Sequence, residues 1–181
     1  MNILKKRGVA WIITLVVIVA AIGIGQAKKP GDEPNQGPDH GPGSSNMEPG
    51  QSTGSYVYDE ANVLSDATER ALEQCNAELL EDWNVVIAVV TCNYGKSDLG
   101  GYAIDFADEI GLGENDFIVV LDISGDNYWL VQGSGLMNDF TDDDCTAYAW
   151  NYMETDFARG DYDSAVLSLT EALAAWYHNY Y

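Results

Sequence analysis

The sequence contains few basic residues. Its 181 residues include 8 lysines and arginines against 29 acids, for a formal net charge of −21. From Tyr56 onward the imbalance is greater, because 25 acids face only Arg70, Lys96 and Arg159. A surface with this charge repels phosphate backbones and anionic lipid headgroups. The composition therefore argues against nucleic-acid binding, and it suits metal ions or basic partners better.

Histidine and cysteine are also scarce. The two histidines, His40 and His178, lie far apart in the chain, so a histidine-based active site or a His-rich metal site has almost no residues to use. The three cysteines form no CxxC pair, and their odd number fits neither a disulfide scaffold nor a zinc ribbon. We expect them to be small buried apolar groups.

Prolines are confined to one segment. All five lie between Pro30 and Ser55, together with six glycines, and Met47 is the only large apolar residue there. Such a segment cannot bury enough apolar surface to fold. We expect a disordered linker over residues 28–55, with a reach of roughly 25–30 Å as a flexible coil.

The beginning of the chain has the pattern of a membrane anchor. Three basic residues, Lys5 to Arg7, precede 18 uncharged residues from Gly8 to Gly25, nearly enough for an α-helix to cross a bilayer. We predict a cytoplasmic terminus at 1–7, a single transmembrane helix at 8–27 and an extracytoplasmic remainder. The alternative is a cleaved signal peptide, since residues 25–27 have the small-x-small pattern, and the protein would then be secreted.

Residues 56–181 carry the periodicities of one folded domain. Unbroken apolar runs at 85–90 and 117–123 predict two buried strands, and a turn at 124–127 leads to an antiparallel strand at 128–132. Four helices are predicted: from Asp66 as N-cap to Trp83, over 102–110 before Gly111, from Asp142 to about Glu154, and from Asp161 to about Tyr177.

Two buried strands joined by a helix make a right-handed βαβ unit with helices on both faces of the sheet. The predicted fold class is α/β, a three-layer α/β/α sandwich with a small mixed sheet, preceded by the transmembrane helix and the linker.

Acidic and amide side chains cluster at the predicted loop ends. The candidate metal ligands are Asp59, Glu114, Asn115, Asp116 and Asp142. If three or more of their oxygens converge, they form a Ca²⁺ site without any histidine. The three acids of "FTDDD" have a second interpretation, because Thr141 and Asp144 are spaced as a capping box and acids favour the first turn of a helix.

Seven short motifs, in order, resemble the TPM domain family. They are "YVYDEANVLSD", "VVIAVVT", "GKSDLGGYAIDFADEIGLG", "NDFIVVLDI", "LVQGSGL", "FTDDD" and "FARGDY". Together they cover nearly all of the folded part, and their order and spacing are more specific than any single motif. The chain is similar to exported, membrane-tethered bacterial members of that family.

The resemblance implies an α/β/α fold, and for some members an acid phosphatase-like activity and Ca²⁺ at an acidic site. It would place Ca²⁺ at Asp59, Asp116 and Asp142, with Glu114 and Asn115 as neighbours. Three hypotheses follow. The first is a membrane-anchored module for interaction or envelope maintenance, with a protein partner outside the cytoplasm. The second is a metal-dependent phosphatase-like hydrolase, which the acidic surface disfavours. The third is a purely structural acidic domain.

Overall fold

The computed structural model of the protein describes residues 55–180. The predicted terminus at 1–7, the anchor at 8–27 and almost all of the linker at 28–55 lie outside the described residues. Between residues 55 and 180, no helix combines the length and the apolar character that crossing a membrane requires.

Four strands and five helices make up the described part. The strands are β1 (Val57–Asp59), β2 (Ile87–Cys92), β3 (Phe117–Asp122) and β4 (Asn127–Gln132). The helices are α1 (Asp66–Trp83), α2 (Leu99–Ile110), α3 (Asp142–Tyr152), α4 (Glu154–Phe157) and α5 (Tyr162–Tyr180). Along the chain the order is β1, α1, β2, α2, β3, β4, α3, α4, α5.

The strands form one mixed sheet in the order β1-β2-β3-β4. The first three strands are parallel, and β4 runs antiparallel to β3 after a tight turn. The register places Asp59 beside Thr91, and Thr91 beside Leu121. A mixed sheet with helices is the α/β arrangement that the sequence predicts.

Helices cover both faces of the sheet because β2 and β3 are apolar on both faces. Val119 belongs to a core with side chains from α1, α3 and α5, whereas the next residue, Val120, belongs to a second core with α2. All six residues of β2 and all six of β3 are buried. Two parallel strands buried in this way are stable only between two helical layers.

Local signals explain most helix ends. Thr141 caps α3, and the capping box that it forms with Asp144 is confirmed. Helix α2 ends at Gly111, whose φ of 73° is the left-handed conformation that glycine adopts without strain. The predicted N-cap of α1 is wrong by one residue, because the side chain of Ser65, rather than Asp66, accepts a hydrogen bond from the N–H of Thr68.

Strand predictions were less precise at their ends. β2 begins at Ile87 and continues to Cys92, two residues later at each end than the apolar run at 85–90. β1 was not predicted, since its three residues show no periodicity and their pairing with β2 is what makes them a strand. The predicted helix from Asp142 to about Glu154 is divided at Met153 into α3 and the short α4.

Candidate functional site

A groove runs along the open side of β4. It is bordered on one side by Ile104 of α2, on the other by Met137 and by α3, and residues 128–132 form its floor. Its volume is about 790 Å³, in the range of binding clefts. We call this surface the β4 groove.

The β4 groove gathers most of the exposed apolar surface of the domain. Six large hydrophobic side chains are exposed among residues 55–180, and four of them line this groove. They are Ile104, Trp129, Met137 and Trp150, with exposed fractions of 52%, 48%, 53% and 65%. Contiguous exposed apolar surface of this kind marks interaction sites, and tryptophan is enriched where partners bind.

The position of Trp129 depends on a glycine of α2. A Cβ atom added at Gly100 would lie 3.1 Å from the indole ring, so a larger residue there would require the ring to move away by a few tenths of an ångström. Trp129 pairs with Val120 of β3 and shares the α2 face of the sheet with it. The indole is therefore held against α2 while about half of it remains open to the groove.

Hydrogen bonds fix the other face of β4. The Nε2 of Gln132 donates to the carboxylate of Asp142 at 2.8 Å, and its Oε1 accepts from the Cys145 thiol at 3.0 Å. Further along the strand, the Tyr128 hydroxyl donates to Glu154 at 2.6 Å. These bonds attach the start of α3 and the short α4 to β4, so this wall of the groove is preorganised.

Cys145 is not poised as a nucleophile. Burial raises the pKa of its thiol to about 12, and the negative charge of Asp142 acts in the same direction. The thiolate is the reactive form of cysteine, and almost none is present at neutral pH with such a pKa. The cysteine instead serves as a buried hydrogen-bond donor, as do many structural thiols.

Asp59 lies at the carboxyl end of the parallel strands. Its carboxylate accepts hydrogen bonds from the N–H groups of Val63 at 3.1 Å and Leu64 at 2.9 Å, and from the Thr91 hydroxyl. These three donors account for the carboxylate as the group that turns the chain from β1 toward α1.

Glu114, Asn115 and Asp116 lie at the opposite end of the sheet, just before β3. The Asp116 carboxylate accepts from the N–H of Val86 at 2.8 Å and of Gly113 at 2.6 Å. The carbonyl of Glu114 accepts from Gly135 N–H, and the carbonyl of Asn115 from the Tyr177 hydroxyl. The polar groups here hold a loop in place.

Gly133 and Gly135, which form a GxG motif within "LVQGSGL", pack against that same loop. A Cβ atom at Gly133 would come within 2.3 Å of the Glu114 carbonyl oxygen, and one at Gly135 within 2.3 Å of the Asn115 side chain. Neither glycine has room for a side chain. The motif is therefore explained by close packing of two loops.

The five candidate metal ligands do not share one place. Asp59 lies level with Leu121, five residues along β3 from Asp116, so about 17 Å of strand separates the two aspartates. Calcium ligands lie at about 2.3–2.6 Å from the ion. Asp142 is near the Asp116 end through Gln132, which pairs with Phe117.

The donor set therefore does not fit a single Ca²⁺ ion held by all five residues. Among residues 55–180 there is also no group of three or more His, Cys, Asp or Glu side chains arranged to hold a metal.

Sequence reasoning missed the groove itself. Only Asp142, of the five candidate residues, lines it. One signal was present in the sequence: two tryptophans, Trp129 and Trp150, stand in segments predicted as strand and helix, and Trp150 falls on the side of its helix that is otherwise polar. Their meaning depends on which strand lies at the edge of the sheet, and strand order is not legible in the spacing.

Solved structures share this fold. The N-terminal domain of a P. gingivalis protein has 24% identity and a TM-score of 0.62, covering 67% of this chain and 80% of that one. The N-terminal domain of a Corynebacterium glutamicum protein has 16% identity and a TM-score of 0.55, covering 72% and 85%. The BA42 protein of Bizionia argentinensis has 15% identity and a TM-score of 0.52, covering 64% and 83%. Identities this low speak for the fold alone.

No curated protein matches the chain. The TPM domain family model, however, matches residues 57–176, which include every strand and nearly all of the helical residues described above. The seven motifs lie within or directly beside this range. The chain belongs to the TPM domain family.

Proposed function

We propose that this TPM domain is an interaction module, held outside the cytoplasm by the apolar segment at 8–27, that binds a protein partner through the β4 groove. The observation that carries the proposal is the concentration of four of the six exposed large hydrophobic side chains of residues 55–180 along one groove. Burying such surface is the main favourable contribution to most protein association.

The walls of the groove support binding rather than catalysis. The polar groups of its inner wall are occupied by one another, since Gln132 bonds both Asp142 and Cys145. Its exposed side chains are apolar, the carboxylates of Asp142 and Asp143, or the uncharged polar groups of Thr146 and Asn151. A rigid apolar groove with a negatively charged end recognises a partner by shape and charge.

The charge distribution favours this proposal over a phosphatase-like hydrolase. The three bases of the described residues are engaged away from the groove: Arg70 pairs with Asp66, Arg159 with Asp156, and Lys96 lies over the ring of Tyr94. A phosphate ester entering the β4 groove would meet carboxylates and no basic side chain. The Ca²⁺ expectation adds nothing to this site, because its ligands are divided between two ends of the sheet.

Photo-crosslinking in the native membrane tests the proposal. The full chain carries benzoylphenylalanine in place of Met137 in the groove or, as the matched control, in place of Glu73 on the exposed side of α1. We expect a defined crosslinked protein from position 137 alone. That protein, once purified, should bind the full chain and bind the Trp150→Ala variant at least about tenfold more weakly.

Two results would contradict the proposal. One is the same set of crosslinked proteins from both positions. The other is a purified partner whose affinity is unchanged by Trp150→Ala and by Met137→Ala, since both side chains are exposed and neither substitution should unfold the domain.

A further inference from the structure

The outer edge of β4 has main-chain groups available for pairing. β4 is the last strand of the sheet, so only β3 lies beside it. The N–H of Gly133 donates to the carbonyl of Asp116, which makes these two an H-bonded pair. Pairing in an antiparallel ladder alternates, so the N–H and C=O of Leu130 and Gln132 point away from β3 and into the groove.

Nothing in the strand blocks such pairing. Edge strands are usually protected by lysine, proline, a bulge or a covering element, and β4 has the sequence NYWLVQ, without any charge or proline. Its ladder with β3 runs without a bulge through all six residues. Among the hydrogen bonds of residues 55–180 outside the ladder, none engages the main chain of Leu130 or Gln132.

The two walls of the groove match the geometry of an added strand. Side chains of an extended segment alternate between the two faces of the sheet. On the α2 side they would meet Ile104 and Trp129, and on the α3 side Met137 and Trp150. Apolar side chains in both sets of positions would therefore be buried.

The negative charge of the β4 groove favours an extended segment that carries basic residues. Asp142 and Asp143 are exposed and are the charged residues that line the groove. They belong to a domain with 25 acids and three bases. Lysine or arginine would be attracted at the end of the segment that lies beside Gln132, where Asp142 and Asp143 begin α3. A second copy of this domain would instead bring two strongly acidic surfaces together.

We infer that the β4 groove takes an extended segment of a partner protein, apolar in the middle and basic at one end, which pairs with the outer edge of β4 as a fifth strand. The inference rests on the proposed interaction function and names the mode of binding. Main-chain pairing at Leu130 and Gln132 supplies affinity, and the two apolar walls with Asp142 and Asp143 supply specificity.

Peptide selection tests the inference. A phage-displayed library of random octapeptides is selected against the full chain in detergent, with the Trp150→Ala variant as the counter-selection target. We expect enrichment of β-branched and aromatic residues with lysine or arginine at one end. Failure to enrich any sequence, or enrichment of acidic sequences, would overturn the inference.

Synthetic versions of an enriched peptide then separate main-chain from side-chain recognition. N-methylation of alternate amides removes hydrogen-bond donors on one edge of the peptide. One peptide is methylated at its odd-numbered amides and the other at its even-numbered amides, and the one whose methylated edge faces β4 should bind about tenfold or more weakly. Asp143→Lys should weaken binding several-fold, while the matched control Glu73→Lys on α1 should leave it unchanged.

Failure of the strand-pairing inference can be distinguished from failure of the proposed interaction function. If both N-methylated peptides bind as well as the parent while Trp150→Ala abolishes binding, strand pairing is overturned and the groove still serves as an interaction site. If sedimentation shows a dimer of the full chain that Trp150→Ala dissociates, the occupant is a second copy and the inference is overturned. If benzoylphenylalanine at position 137 gives no crosslinked protein that is absent from the control at position 73, the proposed interaction function itself is overturned.

Discussion

The two edges of the sheet are built differently. β1 has three residues, is half-buried, and ends at once in a turn that the Asp59 carboxylate holds. β4 has six residues, carries no charge, and borders a groove with exposed tryptophans on both walls. A short edge that ends in a fixed turn offers little to pair with, whereas a long apolar one does. Under the proposed function, one edge serves folding and the other serves binding.

Among substitutions outside the hydrophobic core, the largest expected effect concerns the Asp59 carboxylate, which holds one end of the sheet. Asp59→Ala removes the acceptor of two main-chain N–H groups and of the Thr91 hydroxyl. We expect the free energy of unfolding to fall by about 2–3 kcal/mol, because the donors lose a charged partner. Urea unfolding should give the same loss in Ca²⁺ and in EDTA. A loss seen only in Ca²⁺ would show instead that Asp59 binds the ion.

Gly133→Ala should be nearly as damaging at the other end of the sheet. The new methyl group would lie 2.3 Å from the Glu114 carbonyl oxygen, and main-chain atoms cannot move aside cheaply. We expect a loss of about 1–3 kcal/mol in thermal or urea unfolding. Ser134→Ala, the adjacent exposed position, is the control and should change stability little. Equal effects at both positions would refute the packing account of the GxG motif.

Trp150→Ala should hardly change stability. The side chain is 65% exposed, so the free energy of unfolding should shift by no more than about 0.5 kcal/mol. The matched variant Leu130→Ala removes a buried side chain of β4 and should cost about 2–5 kcal/mol. If Trp150→Ala proved as destabilising as Leu130→Ala, the tryptophan would be part of the core and the contrast between the edges would fail.

The smallest effect concerns pH. Two hydrogen bonds from Thr141 hold the pKa of Asp144 below the ordinary 3.8. The bond from the Thr141 hydroxyl has the larger effect and the bond from its N–H the smaller. A carboxyl with a lowered pKa stabilises the fold above the unfolded-state value, and that contribution is lost as the pH falls through the folded-state value. Asp144→Asn should therefore lower stability at pH 6, and the difference from wild type should shrink below about pH 3.8. A difference that does not change with pH would contradict this.

Helices were the part of the fold most legible in the sequence. The four-residue spacing of Tyr102, Phe106 and Ile110 and the glycine after them predict α2 except for its first three residues, 99–101, and the Thr141–Asp144 spacing predicts the start of α3. These signals are local, because a helix bonds within itself. β1 could not be found in the same way, since its three residues are a strand only through contacts with β2, about 30 residues away.

The candidate site was harder still. The acids at the loop ends were visible in the sequence, but their separation follows from the register: Asp59 lies level with Leu121, and Asp116 precedes the other end of the same strand. The β4 groove depends on strand order, because Trp129 borders an open groove only when β4 lies at the edge of the sheet. Both facts belong to tertiary structure, and no spacing rule encodes them.

Hydrogen exchange at single-residue resolution tests the account most directly, on the full chain with and without an enriched basic peptide. We predict that the Leu130 and Gln132 amides exchange fast in the free chain and slow by about tenfold or more on binding, while the amides of β1 are unaffected. Slowing at β1, or no change at β4 under saturating peptide, would contradict the assignment of the open edge to binding.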